Sequence, residues 1–229
     1  MPTSSKTTKD GEQPVLEFRE VGFHWPGGKG FDNVSFAVPA GGFALITGPS
    51  GAGKSTLLRL AVRLEEACTG SILLEGTQLK SIYPPLMRSR IGLVQQTPTL
   101  LPGTIRENLL MPFNLRIRKG KPKPDDPEMT EWLERLGLGE IGLQTNVAGL
   151  SVGQRQRLCL IRSALTHPAV LCFDEPTSAL DSKSRELVEK TAEHLSEEGI
   201  AVLMVNHTNY RPACEHMLLT VDNGRVEVA

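Results

Sequence analysis

Two stretches of the sequence combine residue types that are suited to phosphate chemistry. The first, GPSGAGKST at 48–56, matches the pattern G-x-x-x-x-G-K-[S/T] in full. Glycines let such a loop curl so that its N–H groups face phosphate oxygens, while Lys54 supplies a positive charge and Ser55 a hydroxyl ligand for Mg²⁺. We expect nucleotide phosphates to be bound here, by Gly48, Pro49, Ser50, Gly51, Ala52, Gly53, Lys54, Ser55 and Thr56.

The second stretch, AVLCFDEPTSALD at 169–181, is an apolar run that ends in two adjacent carboxylates. Carboxylates at the end of a buried strand are costly unless they meet a cation or a positioned water. Asp174 is suited to holding Mg²⁺ and Glu175 to polarising the attacking water, which are two roles that phosphoryl transfer needs. Alone, such a pair is often only a helix N-cap. Following a complete phosphate loop, it favours catalysis.

The sequence pattern around these residues predicts an α/β fold. FALIT, IGLV, AVLCF and IAVLMV are short apolar runs separated by helical stretches, which is typical of a parallel sheet buried on both faces. From Pro14 to about Pro39, apolar and polar residues alternate, which predicts an N-terminal antiparallel β subdomain. Asn223-Gly224 predicts a hairpin near the C-terminus.

The stretch between IGLV and AVLCF carries helix signals and predicts a helical subdomain, about 97–165, inserted in the α/β core. Thr104 and Glu107 form the pattern of a capping box. Asp126-Pro127 predicts an N-cap and a first-turn proline for a second helix, which Gly137 should end. The apolar face of that helix would be formed by Met129, Trp132, Leu133 and Leu136.

Composition narrows the classes of function. The 229 residues suit one substantial domain at 15–229, preceded by a polar, disordered tail at 1–14. With 25 basic and 26 acidic side chains, nucleic acid is a poor partner. The four cysteines show no zinc spacing and no disulfide framework, which favours a reducing compartment. The longest apolar runs have five or six residues, so any membrane link would require a partner.

With these residues in place, the chain resembles the nucleotide-binding subunits of ABC transporters, from Val15 to the C-terminus. The resemblance implies that Gln96 contacts Mg²⁺ and the attacking water, that His207 contacts the γ-phosphate, and that Trp25 stacks on adenine. It places the family's signature at LSVGQ and the loop that crosses the dimer interface at SALD. These two segments comprise the signature residues Ser151, Val152, Gly153 and Gln154 and the interface-loop residues Ser178, Ala179, Leu180 and Asp181.

The resemblance implies a P-loop NTPase fold that binds ATP and Mg²⁺. Two cassettes would pack head to tail, as a homodimer or with a paralogue, so that the signature of one faces the ATP of the other. The pair would drive an integral membrane permease from the cytoplasmic face of the cell membrane. Val152 departs from the usual glycine. Because Ser151 and Gln154 fit a capping box, Val152 would be the first helical residue, where glycine is not sterically required.

Several alternatives stay open. The sequence looks most like the Fet-type ATPases proposed to export iron, but importers and lipoprotein-release systems have similar cassettes. A soluble ABC ATPase acting on DNA or ribosomes and a P-loop kinase are the rival classes, and no Asn-Lys-x-Asp motif supports a GTPase. The basic run at 116–124 would be a solvated loop or a contact with the cytoplasmic leaflet. The histidines expected to be structural are His24, His167, His194 and His216.

Overall fold

A computed structural model describes residues 13–206 and 210–229. The strands of this part of the chain are β1 Leu16–His24, β2 Gly30–Val38, β3 Phe43–Thr47, β4 Thr69–Leu74, β5 Thr77–Gln78, β6 Ile91–Val94, β7 Val170–Asp174, β8 Ala201–Val205, β9 His216–Asp222 and β10 Arg225–Val228. Its α-helices are α1 Lys54–Ala61, α2 Pro84–Arg90, α3 Ile105–Leu110, α4 Asp126–Arg135, α5 Val152–Ala164 and α6 Ser182–Glu197. Short 3-10 helices lie at Leu79–Ser81, Met111–Asn114, Arg116–Arg118 and Val147–Gly149.

The predicted antiparallel sheet is confirmed, with strand order β2-β1-β4-β5. β1 and β2 pair antiparallel and are joined by a tight turn, in which the Trp25 N–H donates to the Lys29 carbonyl at 2.8 Å. Phe18 and Phe36 stack across this pair with ring centroids 4.5 Å apart. One face of the sheet is therefore apolar and packs into the core, as the alternation of residues predicts.

The second sheet has six strands in the order β10-β9-β3-β8-β7-β6, and all neighbours are parallel except the β9/β10 hairpin. That hairpin turns at Asn223 and Gly224, whose positive φ angles of 46° and 77° are those of a type I′ turn. Every residue of β7 and β8 is buried, as expected for strands covered on both faces. The carboxyl ends of β3, β6, β7 and β8 consequently meet at one edge of the sheet.

The segment between β6 and β7 contains α3, α4 and α5, whose buried side chains form a common cluster with one face of the parallel sheet. The capping box of α3 is confirmed, since the Glu107 N–H donates to Thr104 and the Glu107 carboxylate accepts from the Thr104 N–H. The predicted apolar face of α4 is also confirmed, because all four of its residues are buried: Met129, Trp132, Leu133 and Leu136. The predicted boundaries of the domain, 15–229, and of the inserted helical subdomain, about 97–165, stay predictions.

The start of α4 differs from the prediction by one residue. Asp125, not Asp126, is the N-cap, and its carboxylate accepts from the Glu128 N–H at 2.9 Å. Asp126 is the first helical residue and Pro127 the second, a position where the missing N–H of proline costs nothing because first-turn N–H groups have no partner within the helix. The helix ends before Gly137, which has a positive φ of 64°, as predicted.

The basic run at 116–124 is only partly a solvated loop. Arg118 is half-buried, and its guanidinium donates to the Ser89 and Thr166 carbonyls at 3.1 and 3.0 Å and lies over the Phe113 ring. Burial lowers the pKa of Arg118. The lysines of the run are exposed. Expecting solvation for Arg118 was wrong, because a charge run does not reveal carbonyl acceptors that are distant in sequence.

No helix in the two described ranges is both long and apolar enough to cross a membrane. The predicted disorder of the N-terminal tail concerns residues 1–14, of which 1–12 lie outside the described residues.

Candidate nucleotide site

The phosphate loop lies between the end of β3 and the start of α1. Gly48 has a φ of 138°, and a side chain there would collide with the Val221 carbonyl of β9. Gly53 caps α1 in the left-handed region, with a φ of 108° and no side-chain hydrogen bond to the first turn. The Thr56 N–H donates to the Gly53 carbonyl at 3.0 Å. No side chain caps the first turn, so the N–H groups before Thr56 can face an external anion, the arrangement that binds phosphate elsewhere.

Lys54 is folded back over this loop. Its ammonium donates to the Gly48 and Pro49 carbonyls at 2.9 and 2.8 Å, and burial lowers its pKa, while the nearby charges of Glu175 and Asp174 oppose that shift. The positive charge is therefore held at the loop by two neutral acceptors. A phosphate oxygen would be a stronger partner than either carbonyl, because both members of that contact would carry a charge.

Ser55 and Asp174 meet although they lie 119 positions apart in the chain. The Ser55 hydroxyl donates to Asp174 Oδ1 at 2.7 Å. Asp174 ends β7 and is only 9% exposed; burial raises the pKa of its carboxyl, and the hydrogen bond from Ser55 lowers it. This buried carboxylate beside a hydroxyl is a pair of oxygen ligands suited to Mg²⁺. The described residues contain no cluster of three His, Cys, Asp or Glu for a metal.

Glu175 and Gln96 form a second contact at the same edge of the sheet. The Gln96 amide donates to Glu175 Oε2 at 3.0 Å. Glu175 follows β7 with a φ of 48°, a left-handed conformation that costs a non-glycine residue about 1–2 kcal/mol, and its N–H donates to the Val205 carbonyl at 3.2 Å. Glu175 lies close enough to Asp174 for its charge to raise the pKa of the Asp174 carboxyl.

Trp25 lies beside the phosphate loop, where the resemblance places the adenine-stacking aromatic. Its indole packs edge-on against Phe23 and Phe31, with ring centroids 5.5 and 6.1 Å away. A Cβ at Gly53 would lie 2.8 Å from the Trp25 ring, so the indole covers the start of α1. The ring is half-buried, which leaves part of its surface open.

The signature segment is a capped helix start, as predicted. Ser151 is the N-cap of α5: the Gln154 N–H donates to its hydroxyl at 3.2 Å, and its own N–H donates to Gln154 Oε1 at 2.9 Å. Val152 is the first helical residue and is 58% exposed. A Cβ at Gly153 would lie 3.0 Å from Leu180 Cδ2, so a side chain here would require Leu180 to shift by a few tenths of an ångström, a constraint that the sequence did not reveal.

The predicted interface loop Ser178–Asp181 lies between the end of β7 and the start of α6. The Ser178 hydroxyl donates to the Glu175 carbonyl at 3.2 Å. Asp181 is the N-cap of α6, where it accepts from the Ser184 N–H and hydroxyl at 2.9 and 2.7 Å, and these bonds lower its pKa. Through Leu180, this loop contacts the start of α5.

The structure thus brings together the residues predicted to act on the phosphates, and it places the signature beside the interface loop. In the described part of the chain, no hydrogen bond joins Ser151–Gln154 to the phosphate loop Gly48–Thr56. His207 lies outside the described residues.

Arg157 is a neighbour of the site that the sequence did not single out. Its guanidinium donates to the Leu136 and Gly137 carbonyls at 2.8 and 3.3 Å and to the Gly153 carbonyl at 3.3 Å. Burial lowers the pKa of Arg157, and the charge of Asp181 raises it. One side chain therefore connects the end of α4, the start of α5 and the interface loop. The sequence did offer one indication of this role, because Arg157 follows Gly153 by four residues and therefore lies on the same face of the helix.

Comparison with known proteins supports a single family. The family description "ABC transporter" matches residues 31–178. The chain is 40% identical over 195 residues to "Probable iron export ATP-binding protein FetA" of Escherichia coli (strain K12), covering 85% of each chain. It is 33% identical over 216 residues to "Glutamine transport ATP-binding protein GlnQ" of the same organism, covering 93% of this chain and 89% of the relative.

The fold agrees with these similarities. The structure matches "Structure of a bacterial Atm1-family ABC exporter with ATP bound" with a TM-score of 0.79 and 26% identity, over 100% of this chain and 40% of that one. Other relatives are longer proteins, of which the chain spans 16% to 37%. The chain belongs to the ABC transporter family, as an ATP-binding subunit that hydrolyses ATP.

Proposed function

We propose that this chain hydrolyses ATP at a site shared between two cassettes and thereby drives a separate membrane permease. The observation that carries the proposal is the convergence of two contacts at one sheet edge, Ser55 with Asp174 and Gln96 with Glu175. These pairs supply oxygen ligands and a base beside the phosphate loop, whose helix α1 begins without a side-chain cap. Such an arrangement suits in-line attack of water on a terminal phosphoryl group.

In the proposed reaction, Lys54 and the N–H groups at the start of α1 bind the phosphates and offset their negative charge. Glu175 accepts a proton from the attacking water, and Gln96, which donates to the Glu175 carboxylate, holds that carboxylate in place. The water oxygen bonds to the γ-phosphorus as the bond to the bridging oxygen of ADP breaks. His207 would contact the γ-phosphate, by the family resemblance. Trp25 would stack on adenine.

The residues present fit Mg²⁺. Ser55 and Asp174 would hold it, with Gln96 as a third oxygen ligand, because Mg²⁺ prefers oxygen atoms and usually binds through one or two carboxylates plus substrate phosphates. Bound Mg²⁺ supplies neutralisation of the charge on the phosphate oxygens. The raised pKa of Asp174 supports this assignment, since burial makes the ionised carboxylate unfavourable without a cation.

The second cassette would be another copy of this chain or a paralogue. The exposed start of α5, with Ser151 and Gly153, would face the γ-phosphate bound by the other subunit. The interface loop would cross between the subunits, because Ser178 contacts Glu175 and Leu180 contacts the signature. A two-fold symmetric dimer of this kind is the commonest closed assembly.

The permease would lie in the cell membrane, with this chain at its cytoplasmic face. The 40% identity to a probable iron export protein supports a metal, specifically iron, as the exported substrate. The 33% identity to a glutamine transport protein favours keeping an importer as the second candidate.

Affinity purification of the tagged full chain from solubilised membranes tests the partnership, and we expect a multi-span permease to co-purify. Cellular iron then tests the substrate. Loss of the chain should raise iron content, and wild type, but not Lys54→Ala, should restore it. Isolation without any membrane protein would contradict the transport role, and unchanged iron with impaired glutamine uptake would support the importer instead.

A further inference from the structure

One face of α5 is attached to the segment that carries Gln96. The Gln156 amide donates to the Gln95 carbonyl at 2.9 Å. About one turn later Cys159 Sγ lies 3.7 Å from the Thr99 carbonyl oxygen, and nearly two turns after Gln156 the Arg162 guanidinium donates to that same oxygen at 2.9 Å. Because these three side chains are spaced at i, i+3 and i+6, they lie on one side of the helix. The backbone at 95–99 must therefore follow any displacement of α5.

Gln156 is the contact nearest to the catalytic centre. It bonds the residue directly before Gln96, whose amide reaches Glu175. The signature residue Ser151 begins the same helix. A continuous series of contacts thus runs from the start of α5, which would meet the second subunit's ATP, to Glu175, the proposed general base of this chain.

The energetics of Gln156 indicate a role beyond stability. Its side chain is only 3% exposed, and no donor among the residues that the structure describes reaches its Oε1. The atom facing the Gln95 carbonyl must be the amide nitrogen, because a carbonyl only accepts. A buried acceptor without a partner destabilises the fold, whereas an apolar side chain of similar shape would avoid that cost. Glutamine thus occupies a position where methionine should give at least the same free energy of unfolding.

We propose that Gln156 is a positioning residue for Gln96, and that α5 thereby links the ATP bound by this chain to the ATP contacted by Ser151 on the second subunit. The proposal rests on the proposed function, since it requires the shared sites. When Ser151 engages a phosphate, the displacement of α5 is transmitted by the Gln156 amide to Gln95. This alters the position of Gln96 beside Glu175.

The test compares Gln156→Met with Gln144→Met, the same exchange at an exposed turn position between α4 and α5. Loss of one hydrogen bond should lower kcat roughly threefold to tenfold and move the Hill coefficient for ATP toward unity. KM for ATP and the Tm should stay at wild-type values, because the phosphate loop is untouched and the unpaired Oε1 is removed. Gln144→Met should resemble wild type in all four quantities.

A double-mutant cycle shows whether Gln156 acts through Gln96. In a Gln96→Ala background, Gln156→Met should change kcat by no more than about twofold, since the contact it controls is already gone. An equal loss of kcat with and without Gln96 would overturn the proposal, as would unaltered cooperativity in Gln156→Met.

Gln156→Glu adds a pH readout. An ionised carboxylate cannot donate to the Gln95 carbonyl, but a protonated one can, and burial raises the pKa of such a group. The activity of Gln156→Glu relative to wild type should therefore recover as pH falls from about 7 to about 5. Gln156→Met must show no recovery, and identical pH profiles for the two variants would contradict the proposal. Full activity of Ser151→Ala, in contrast, would contradict the proposed function itself, namely the ATP site shared between two subunits.

Discussion

The N-cap of α5 allows a catalytic role to be separated from a structural one. In Ser151→Ala, only the bond from the Gln154 N–H to the hydroxyl is lost, because the Ser151 N–H still reaches Gln154 Oε1. Losing an N-cap costs about 0.5–2 kcal/mol. For a chain of this length, a loss of about 1 kcal/mol lowers the Tm by roughly 2–4 °C. Stability alone therefore predicts a folded and active variant.

The catalytic prediction is much larger. If the Ser151 hydroxyl faces a γ-phosphate, the substitution removes a donor that stabilises the transition state, and the rate should fall about 10²-fold. The start of α3 offers a matched control. The Glu107 N–H donates to the Thr104 hydroxyl at 3.2 Å, the same distance as in α5. The Glu107 carboxylate accepts from the Thr104 N–H at 2.7 Å and from the Thr104 hydroxyl at 3.2 Å.

The assay is Mg²⁺-dependent ATP hydrolysis and thermal unfolding of Ser151→Ala and Thr104→Ala, measured side by side. Both variants should lose a similar few degrees of Tm, but only Ser151→Ala should lose hydrolysis. An equal loss of hydrolysis in Thr104→Ala would refute the reasoning, because it would trace the effect to helix stability. Gly153→Asp is a poorer probe, since its side chain would also press on Leu180.

Three further predictions use other residues. Val152→Gly should change the ATPase rate only a few-fold, because a first helical residue with ordinary φ needs no glycine; a large gain would show that valine impairs the site. Trp25→Ala should weaken ATP affinity roughly tenfold and Trp25→Tyr about threefold or less, measured by fluorescent nucleotide titration; equal affinities would exclude stacking. Cys68, which is exposed, should react with a thiol reagent in the folded protein, whereas Cys159 and Cys172 should react only on unfolding. Burial raises the pKa of Cys159 and raises that of Cys172 to about 12. The number of thiols titrated with and without denaturant checks this prediction.

The features that sequence predicts well are local ones. The phosphate loop, the capping boxes at Thr104 and Ser151, and the Asn223-Gly224 turn each depend on residues within a few positions, whose types restrict the backbone directly. Parallel pairing then brings Asp174 and Gln96 to the strand edge that carries the loop. The elements that define the candidate site were therefore predictable.

Contacts between distant segments were not predictable. Gln156 and Gln95 lie 61 positions apart, and neither side chain marks the other in the sequence. The reason for Gly153 depends on where Leu180 packs, and the burial of Arg118 depends on the Ser89 and Thr166 carbonyls. Such contacts require the relative placement of helices, which periodicity does not supply.

Sharing of the ATP site between two subunits is tested most directly by the mass of Glu175→Gln in solution. This substitution would remove the proposed base but retain the size and shape of the side chain, so that ATP should bind without being hydrolysed. We predict a mass near 50 kDa with Mg²⁺ and ATP, twice the 25.0 kDa of the chain, and the monomer mass without nucleotide. A Glu175→Gln protein that remains at the monomer mass in saturating ATP and hydrolyses it at the wild-type rate would contradict both the base and the dimer.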